Sequence, residues 1–463
     1  MQLAERILSM GRQAWCRLAA SLVAIVAVMQ VGLALLPDWR GIMVGWEAYS
    51  IAQALVAGKG YSFPSRIGFP DGGTPFGNSE FHPTAWVDPF YTFSLAGLIR
   101  LFGSYHQLAA AVLNLVLLLL VFGFTYRLCE RLISPPAGVA AVLALPFSRA
   151  FYWDARLMNN TLLAMTFVLL AALMLVTFLE APSSRRAAAL GLVLGLMVLA
   201  CPGAQLFIPI TAVAVAALGW KHRGPTVSQA IIMCLVAALT LLPWSIRNYV
   251  VFGEWVPVRT GLGQISFVGV VAAAGTVVPE RLPAHLTPPW RAETLRSAVK
   301  QTVDPRWSGK QTRALEGWLT DYSNAVGPRG YSALNEAQRD AWFLQQTKEF
   351  VLANPVVSAQ LALAKLEVFV RIMGIFGVLV CLLAAIGGTL AIQTPAVLTL
   401  AVWVGSFVGP FLLVICYWPR YRAPIQPILV VLAVFAIWRL GAIGGRRLGS
   451  TGPGRTLLRW YRA

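Results

Sequence analysis

The chain has 463 residues, 57% of them hydrophobic and only 12% charged, with a mean hydropathy of +0.67. Soluble domains carry roughly a quarter charged residues. Half that fraction, with repeated apolar runs near bilayer-crossing length, excludes a soluble fold and implies an all-α polytopic membrane protein; the net charge of +18 then reads first as the Lys/Arg bias of cytoplasmic loops rather than as a nucleic-acid surface.

The first 36 residues pair a basic start (Arg6, Arg12, Arg17) with an apolar run and no small-residue cleavage site, the pattern of a retained anchor. Spans are expected near 18–36, 106–128, 137–152, 157–179, 187–201, 203–219, 227–244, 367–391, 395–416 and 424–440. None of the runs alternates as barrel strands do. Residues 187–219 are one apolar run, too long for a single span, and Pro202-Gly203 in its middle predicts a turn.

Residues 86–102 are apolar but bounded by Asp88-Pro89 and Arg100. If this stretch does not cross, the loops with Arg127/Arg131, Arg185/Arg186 and Lys221/Arg223, and the basic tail, all share one side with the N-terminus, as the positive-inside rule asks. It is therefore read as a re-entrant or surface helix beside ten full spans, with both termini cytoplasmic. The chain then divides into a transmembrane catalytic module (1–244, including an outer loop 37–85), a small extracytoplasmic helical segment (245–366), C-terminal transmembrane helices (367–440) and a cytoplasmic basic tail (441–463). In the extracytoplasmic segment, GYSALNEAQRDAWFLQQTKEFVLANP has helical spacing ending at Asn354-Pro355, and VVSAQLALAKLEVF is an amphipathic surface stretch. The six cysteines lie in or beside apolar runs without a CxxC spacing, as packing residues do.

Acids at expected outer span ends are few. Glu47 follows Trp46 and precedes Tyr49, and an acid among aromatics has restricted solvation, which suits general-base work; the plain alternative is a solvated loop carboxylate. Asp154, in the short turn FYWDAR, is a second candidate, against a helix cap or a pair with Arg156. The two could share a cleft, one taking a proton from an acceptor hydroxyl and the other orienting it or holding a divalent ion, although no metal-ligand spacing is present. Arg247 in PWSIRNY, and Arg420, Tyr421 and Arg422 in WPRYRAP, are candidates for gripping a lipid phosphate, weighed against snorkelling to headgroups. His82 and Asp88 are possible accessory groups, and Trp86 reads as an interface anchor. GKGY (58–61) is a glycine turn after a helix rather than a nucleotide loop.

Five stretches together resemble a known family: GWEAYSIAQALVAGKGYSFP, PTAWVDPFYTFSLAGLIRLFG, FYWDARLMNNTLL, LLPWSIRNYVVFGEWVPVRTGLG and RYRAPIQP. Their order is similar to that of bacterial integral-membrane glycosyltransferases of the GT-C fold, related to dolichyl-phosphate-mannose protein mannosyltransferases. The resemblance implies a sugar taken from a polyprenyl-phosphate donor and passed to a protein, lipid or glycan acceptor at the outer face of a bacterial inner membrane. It implies no obligatory cofactor beyond a possible divalent metal, and it sets Glu47 and Asp154 as catalytic acids, with Arg247 and the Arg420–Arg422 turn near the carrier phosphate. The chain departs from the family in carrying Trp46-Glu47 where a paired Asp-Glu is familiar. It also has Asn159-Asn160 where an acid often stands, and QISFVG after GLG. A transporter or flippase of lipid-linked sugars is the rival reading; it predicts acids at mid-span.

Overall fold

The structure, a computed structural model, describes residues 47–63, 81–148, 158–222, 227–275, 334–371, 374–412 and 419–447, with a few isolated positions elsewhere. The expected first span (18–36) and Asp154 fall largely or wholly outside them. The described chain is almost entirely helical. Its elements are α1 (Glu47–Val56), a minimal hairpin of β1 (Ser62–Phe63) and β2 (His82–Pro83), α2 (Pro89–Phe102), α3 (His106–Leu132), α4 (Pro135–Ala144), α5 (Thr161–Glu180), α6 (Ser184–Ala200), α7 (Phe207–His222) and α8 (Val227–Phe252). There follow α9 (Leu262–Phe267), α10 (Glu336–Ala353), α11 (Pro355–Arg371), α12 (Gly374–Leu390), α13 (Pro395–Phe411), α14 (Pro419–Arg422) and α15 (Gln426–Arg447).

Five helical runs are long and apolar enough to cross a membrane: Pro89–Leu132, Thr161–Glu180, Val227–Phe252, Gly374–Gln393 and Ala423–Ile443. They answer five of the ten expected spans. Shorter apolar helical stretches, Pro135–Phe147, Pro202–Ala217 and Pro395–Pro410, lie within or across the expected spans 137–152, 203–219 and 395–416, and the 17-residue α6 (Ser184–Ala200) answers 187–201. The protein is thus an integral membrane protein. The predicted break at Pro202-Gly203 is real, since α6 ends at Ala200 and a 3-10 turn covers Pro202–Ala204 before α7.

The core follows from composition. α5 is apolar on every side, so it has no polar face to turn outward and sits inside the bundle. α6 packs on α8 through small residues. A side chain at Gly191 would run into the carbonyl of Met233, and one at Gly195 would come within 2.6 Å of the Thr240 side chain. Close backbone approach of this kind replaces a hydrophobic driving force between helices in lipid.

α2 has 14 residues, about 21 Å of helix, less than the ~30 Å hydrocarbon thickness. Straight, the whole run from Pro89 to Leu132 would reach about 66 Å, twice that thickness. α3 is tied along α5: Thr166 Oγ1 donates to Leu117 O at 3.4 Å, and Arg131 pairs with Glu180 at 3.3 Å. Both ends of α2 meet the first turn of α1. Trp86, before it, reaches Glu47, and His106, after it, bonds Tyr49 Oη at 2.7 Å.

Three boundaries differ from the sequence reading. The span expected from 367 starts at Gly374, because α11 continues to Arg371 and the chain then turns, with Gly374 at φ 70°. α8 runs on to Phe252 through Pro243, so Arg247 lies in its last turns rather than in a loop. The glycine-rich segment after Arg439 is helical to Arg447. α10 and α11 meet at 109° across Asn354-Pro355, where the helix stop was expected.

Candidate active site

Four helix ends gather at one end of the bundle: the starts of α2 and α5 and the finishes of α6 and α8. The segment Thr84–Asp88 crosses this end, and most of its backbone groups have a partner, as a loop held among helix ends requires. Thr84 N–H donates to Tyr61 O at 3.2 Å, and Thr260 N–H donates to Ala85 O at 3.0 Å. Ala85 N–H donates to Glu336 Oε1 at 2.9 Å, and Trp86 N–H to Thr84 Oγ1 at 3.0 Å.

Glu47 opens α1 and is exposed; its Oε1 accepts from the indole Nε1 of Trp86 at 3.3 Å. It is therefore not enclosed among aromatics as its neighbours in sequence suggested, but held by one of them at an open rim. Trp86 is more than an interface anchor. Its ring lies against Gly261, at φ 96°, where a Cβ would fall 2.7 Å from the ring.

Asp88 is 4% exposed. Its Oδ2 accepts from Asn160 Nδ2, which also donates to Ala200 O at 3.0 Å, and its Oδ1 faces Arg259 Nη1 at 3.5 Å. The asparagine standing where the resembled family often has an acid thus gives the buried carboxylate a donor instead of a like charge. Arg259 also donates from Nε to Thr260 O at 3.2 Å, and its side chain is 30% exposed.

The other expected cations have been given different work. Arg247 donates from Nη1 to Thr84 O and from Nη2 to Tyr61 O, both at 2.8 Å, and its guanidinium lies over the rings of Tyr61, Trp244 and Phe252. It locks the first loop onto α8. Arg422 is 1% exposed. Its donors go to Gln426 Oε1 at 3.0 Å, Phe369 O at 2.8 Å, and Val370 O and Gly377 O at 3.1 Å. It caps the end of α11 at the turn into α12, as a cation does for carbonyls lacking helical partners. Tyr421 is half-buried; the side chains of Arg420 and Asp154 lie outside the described residues. His82 sits in β2 opposite Phe63, half-buried. So Glu47, Asp88 and Arg247 are brought to one segment, while Arg422 shares no bonding partner with them among the described residues.

Two acids were missed in the sequence. Glu336, in the first turn of α10, accepts from Thr84 Oγ1 at 2.7 Å, from Ala85 N–H and from Thr260 Oγ1. Asp340, one turn on, accepts from Gln264 N–H at 3.0 Å. Burial pushes both carboxyls up, against the pull of the donors around them. The Asn335/Gln338 capping box that starts α10 was a legible signal for the helix, but nothing in the sequence says what its carboxylates face. No group of three or more His, Cys, Asp or Glu suited to a metal occurs among the described residues.

Among solved structures, the chain is similar to the Archaeoglobus fulgidus oligosaccharyltransferase tethered to an acceptor peptide (12% identity, TM-score 0.49). That match covers 93% of this chain and 50% of that one. It is also similar to the archaeal oligosaccharyltransferase AglB from the same organism with an inhibitory peptide and dolichol-phosphate (15% identity, TM-score 0.43, 94% and 52% covered). A third is ArnT from Cupriavidus metallidurans bound to undecaprenyl phosphate (14% identity, TM-score 0.36, 94% and 79% covered). The chain spans about half the length of the archaeal enzymes. No curated protein matches it. Residues 82–246, which hold Trp86, Asp88, Asn160 and the start of the α8 finish, match the family model described as dolichyl-phosphate-mannose-protein mannosyltransferase, the group that the five sequence stretches resemble.

Proposed function

We propose that the protein is a glycosyltransferase that moves a sugar from a polyprenyl-phosphate donor to an acceptor hydroxyl at the extracytoplasmic face of a bacterial inner membrane. The observation that carries the proposal is the placing of the Glu47 carboxylate, by an indole N–H, beside a helix-end cluster of which residues 82–246 match the mannosyltransferase family model. In the reaction the acceptor oxygen bonds to the sugar's anomeric carbon as the bond from that carbon to the phosphate oxygen breaks. The acceptor's proton passes to Glu47, and the carrier leaves as an anionic polyprenyl phosphate. A guanidinium near the leaving oxygen stabilises the charge that develops there. Arg259 is the best-placed cation, since it is partly exposed and, among the described residues, uses only Nε and Nη1. Arg247 and Arg422 would have to give up carbonyl bonds to serve. Asp154 and Arg420 stay candidates for the acceptor and phosphate sides. A divalent ion stays a candidate beside them, and the proton and charge steps are those of the side chains.

The test is transfer from a panel of radiolabelled polyprenyl-phosphate sugars by the purified protein in lipid, with Glu47→Gln as comparison. Loss of transfer with donor binding retained is expected; undiminished transfer removes Glu47 from the mechanism. Movement of intact lipid-linked sugar across vesicles, without a new glycosidic bond, would instead select the transporter reading.

A further inference from the structure

We infer that Glu336 and Asp340 of α10 are positioning residues that hold Trp86 and, through its indole, set the carboxylate of Glu47. The inference rests on the reading of Glu47 as the base, and it adds a helix from the second half of the chain to the machinery.

Two routes from α10 converge on Trp86. One is a chain of hydrogen bonds. Thr84 Oγ1 donates its hydroxyl to Glu336 Oε2 at 2.7 Å, and Thr84 Oγ1 in turn accepts the N–H of Trp86 at 3.0 Å. Glu336 Oε1 takes the N–H of Ala85 at 2.9 Å. One carboxylate therefore fixes both residues before Trp86. The other route is steric. Asp340 Oδ1 takes the N–H of Gln264 at 3.0 Å, pinning the turn whose Gly261 supports the indole ring. Gly263 lies so near α10 that any side chain there would collide with the carbonyl of Asp340. Thr260 joins the routes, donating its hydroxyl to Glu336 and its N–H to Ala85 O. With its backbone and its ring both held, Trp86 presents its N–H to Glu47 Oε1. An ionised carboxylate has lone pairs for three donors at once; an amide has only one accepting oxygen.

The test uses the full chain in lipid nanodiscs, with hydrogen exchange read by mass spectrometry beside turnover of a polyprenyl-phosphate hexose. Glu336→Ala should raise exchange across residues 82–88 by about tenfold or more, with α3 and α5 unchanged, since the loop amides lose their acceptor. Turnover should fall by roughly tenfold with KM for the donor unchanged, and E336Q, which keeps one acceptor, should recover part of it. The double variant W86F/E336A should be no slower than W86F, because Glu336 acts through Trp86. Unchanged exchange across 82–88, or a double variant slowed by the product of the two single effects, overturns the inference. Should E336A fail to fold, D340N and E336Q carry the same comparison. A wild type that turns over no donor would overturn the catalytic reading alone, and the exchange data would still decide the positioning.

Discussion

Glu336 accepts the hydroxyl of Thr84 at 2.7 Å across 252 positions of sequence. The bond joins helix α10 to the loop that enters α2, so the candidate site is assembled from segments near 47, 84–88, 259–264 and 336–340. The desolvated carboxylate at this junction has a consequence for stability. Its folded-state pKa lies above its ordinary value of 4.5, raised by burial, as that of Asp340 lies above 3.8. The stabilising contribution of such a group is fully present below the unfolded value and is lost as pH rises through the folded one. As pH rises from the ordinary carboxylate value, melting temperatures should therefore fall more steeply for the wild type than for E336Q. Parallel curves would refute the assignment.

Trp86→Phe keeps a ring against Gly261 but removes the indole N–H. The bond it breaks lies at an exposed rim, so stability should hardly change. Turnover should drop by roughly ten- to a hundredfold, the range for one hydrogen bond to a charged group that positions a reacting atom. Steady-state kinetics and a melting scan on the same preparation check both halves. A variant as fast as the wild type would show that the Trp86 bond does not tune Glu47.

Much of the framework was legible because it depends on local pattern. The length of apolar runs gave five of the ten expected spans, Pro202-Gly203 gave the break between α6 and α7, and Asn354-Pro355 gave the bend after α10. Glu47 could be singled out from its neighbours, and Asp88 from the scarcity of acids. What could not be read is which groups a long side chain finds after folding. Arg247 and Arg422 look like phosphate ligands in a sequence, yet both spend their guanidinium groups on carbonyls exposed by helix ends and turns. Arg259 and Glu336 sit in polar stretches where nothing local separates them from other charges; only the approach of α10 to the loop gives them partners.

Arg422 tests the difference between a strut and a ligand. Its removal leaves the carbonyls of Phe369, Val370 and Gly377 without this donor at the buried turn between α11 and α12. Arg422→Ala should cost about 2–4 kcal/mol, because it strands buried carbonyls and empties the space the side chain fills. R422K should recover little, because one ammonium cannot reproduce the planar fork. Thermal denaturation without any lipid donor is the measurement. A variant that melts like the wild type and loses only donor affinity would return Arg422 to the phosphate site.

Gly263 offers the sharpest steric test, since it separates packing from helix propensity. A Cβ at this position would overlap the carbonyl of Asp340, in the backbone of α10, and no rotamer change can relieve a clash with a main chain. Gly263→Ala must therefore push α10 and the Gly261–Gln264 turn apart, loosening the support behind Trp86. Overpacking of this kind costs about 1–3 kcal/mol, and turnover should fall with it. Gly405, inside α13, is the control: a Cβ there meets nothing within 4 Å. Gly405→Ala should gain up to about 1 kcal/mol from helix propensity alone. Melting curves of the two variants should thus move in opposite directions, and only G263A should raise amide exchange across 84–88. If both variants were equally tolerated, α10 would not seat against the turn as closely as the Gly263–Asp340 contact requires, and its carboxylates could not hold Trp86 in place.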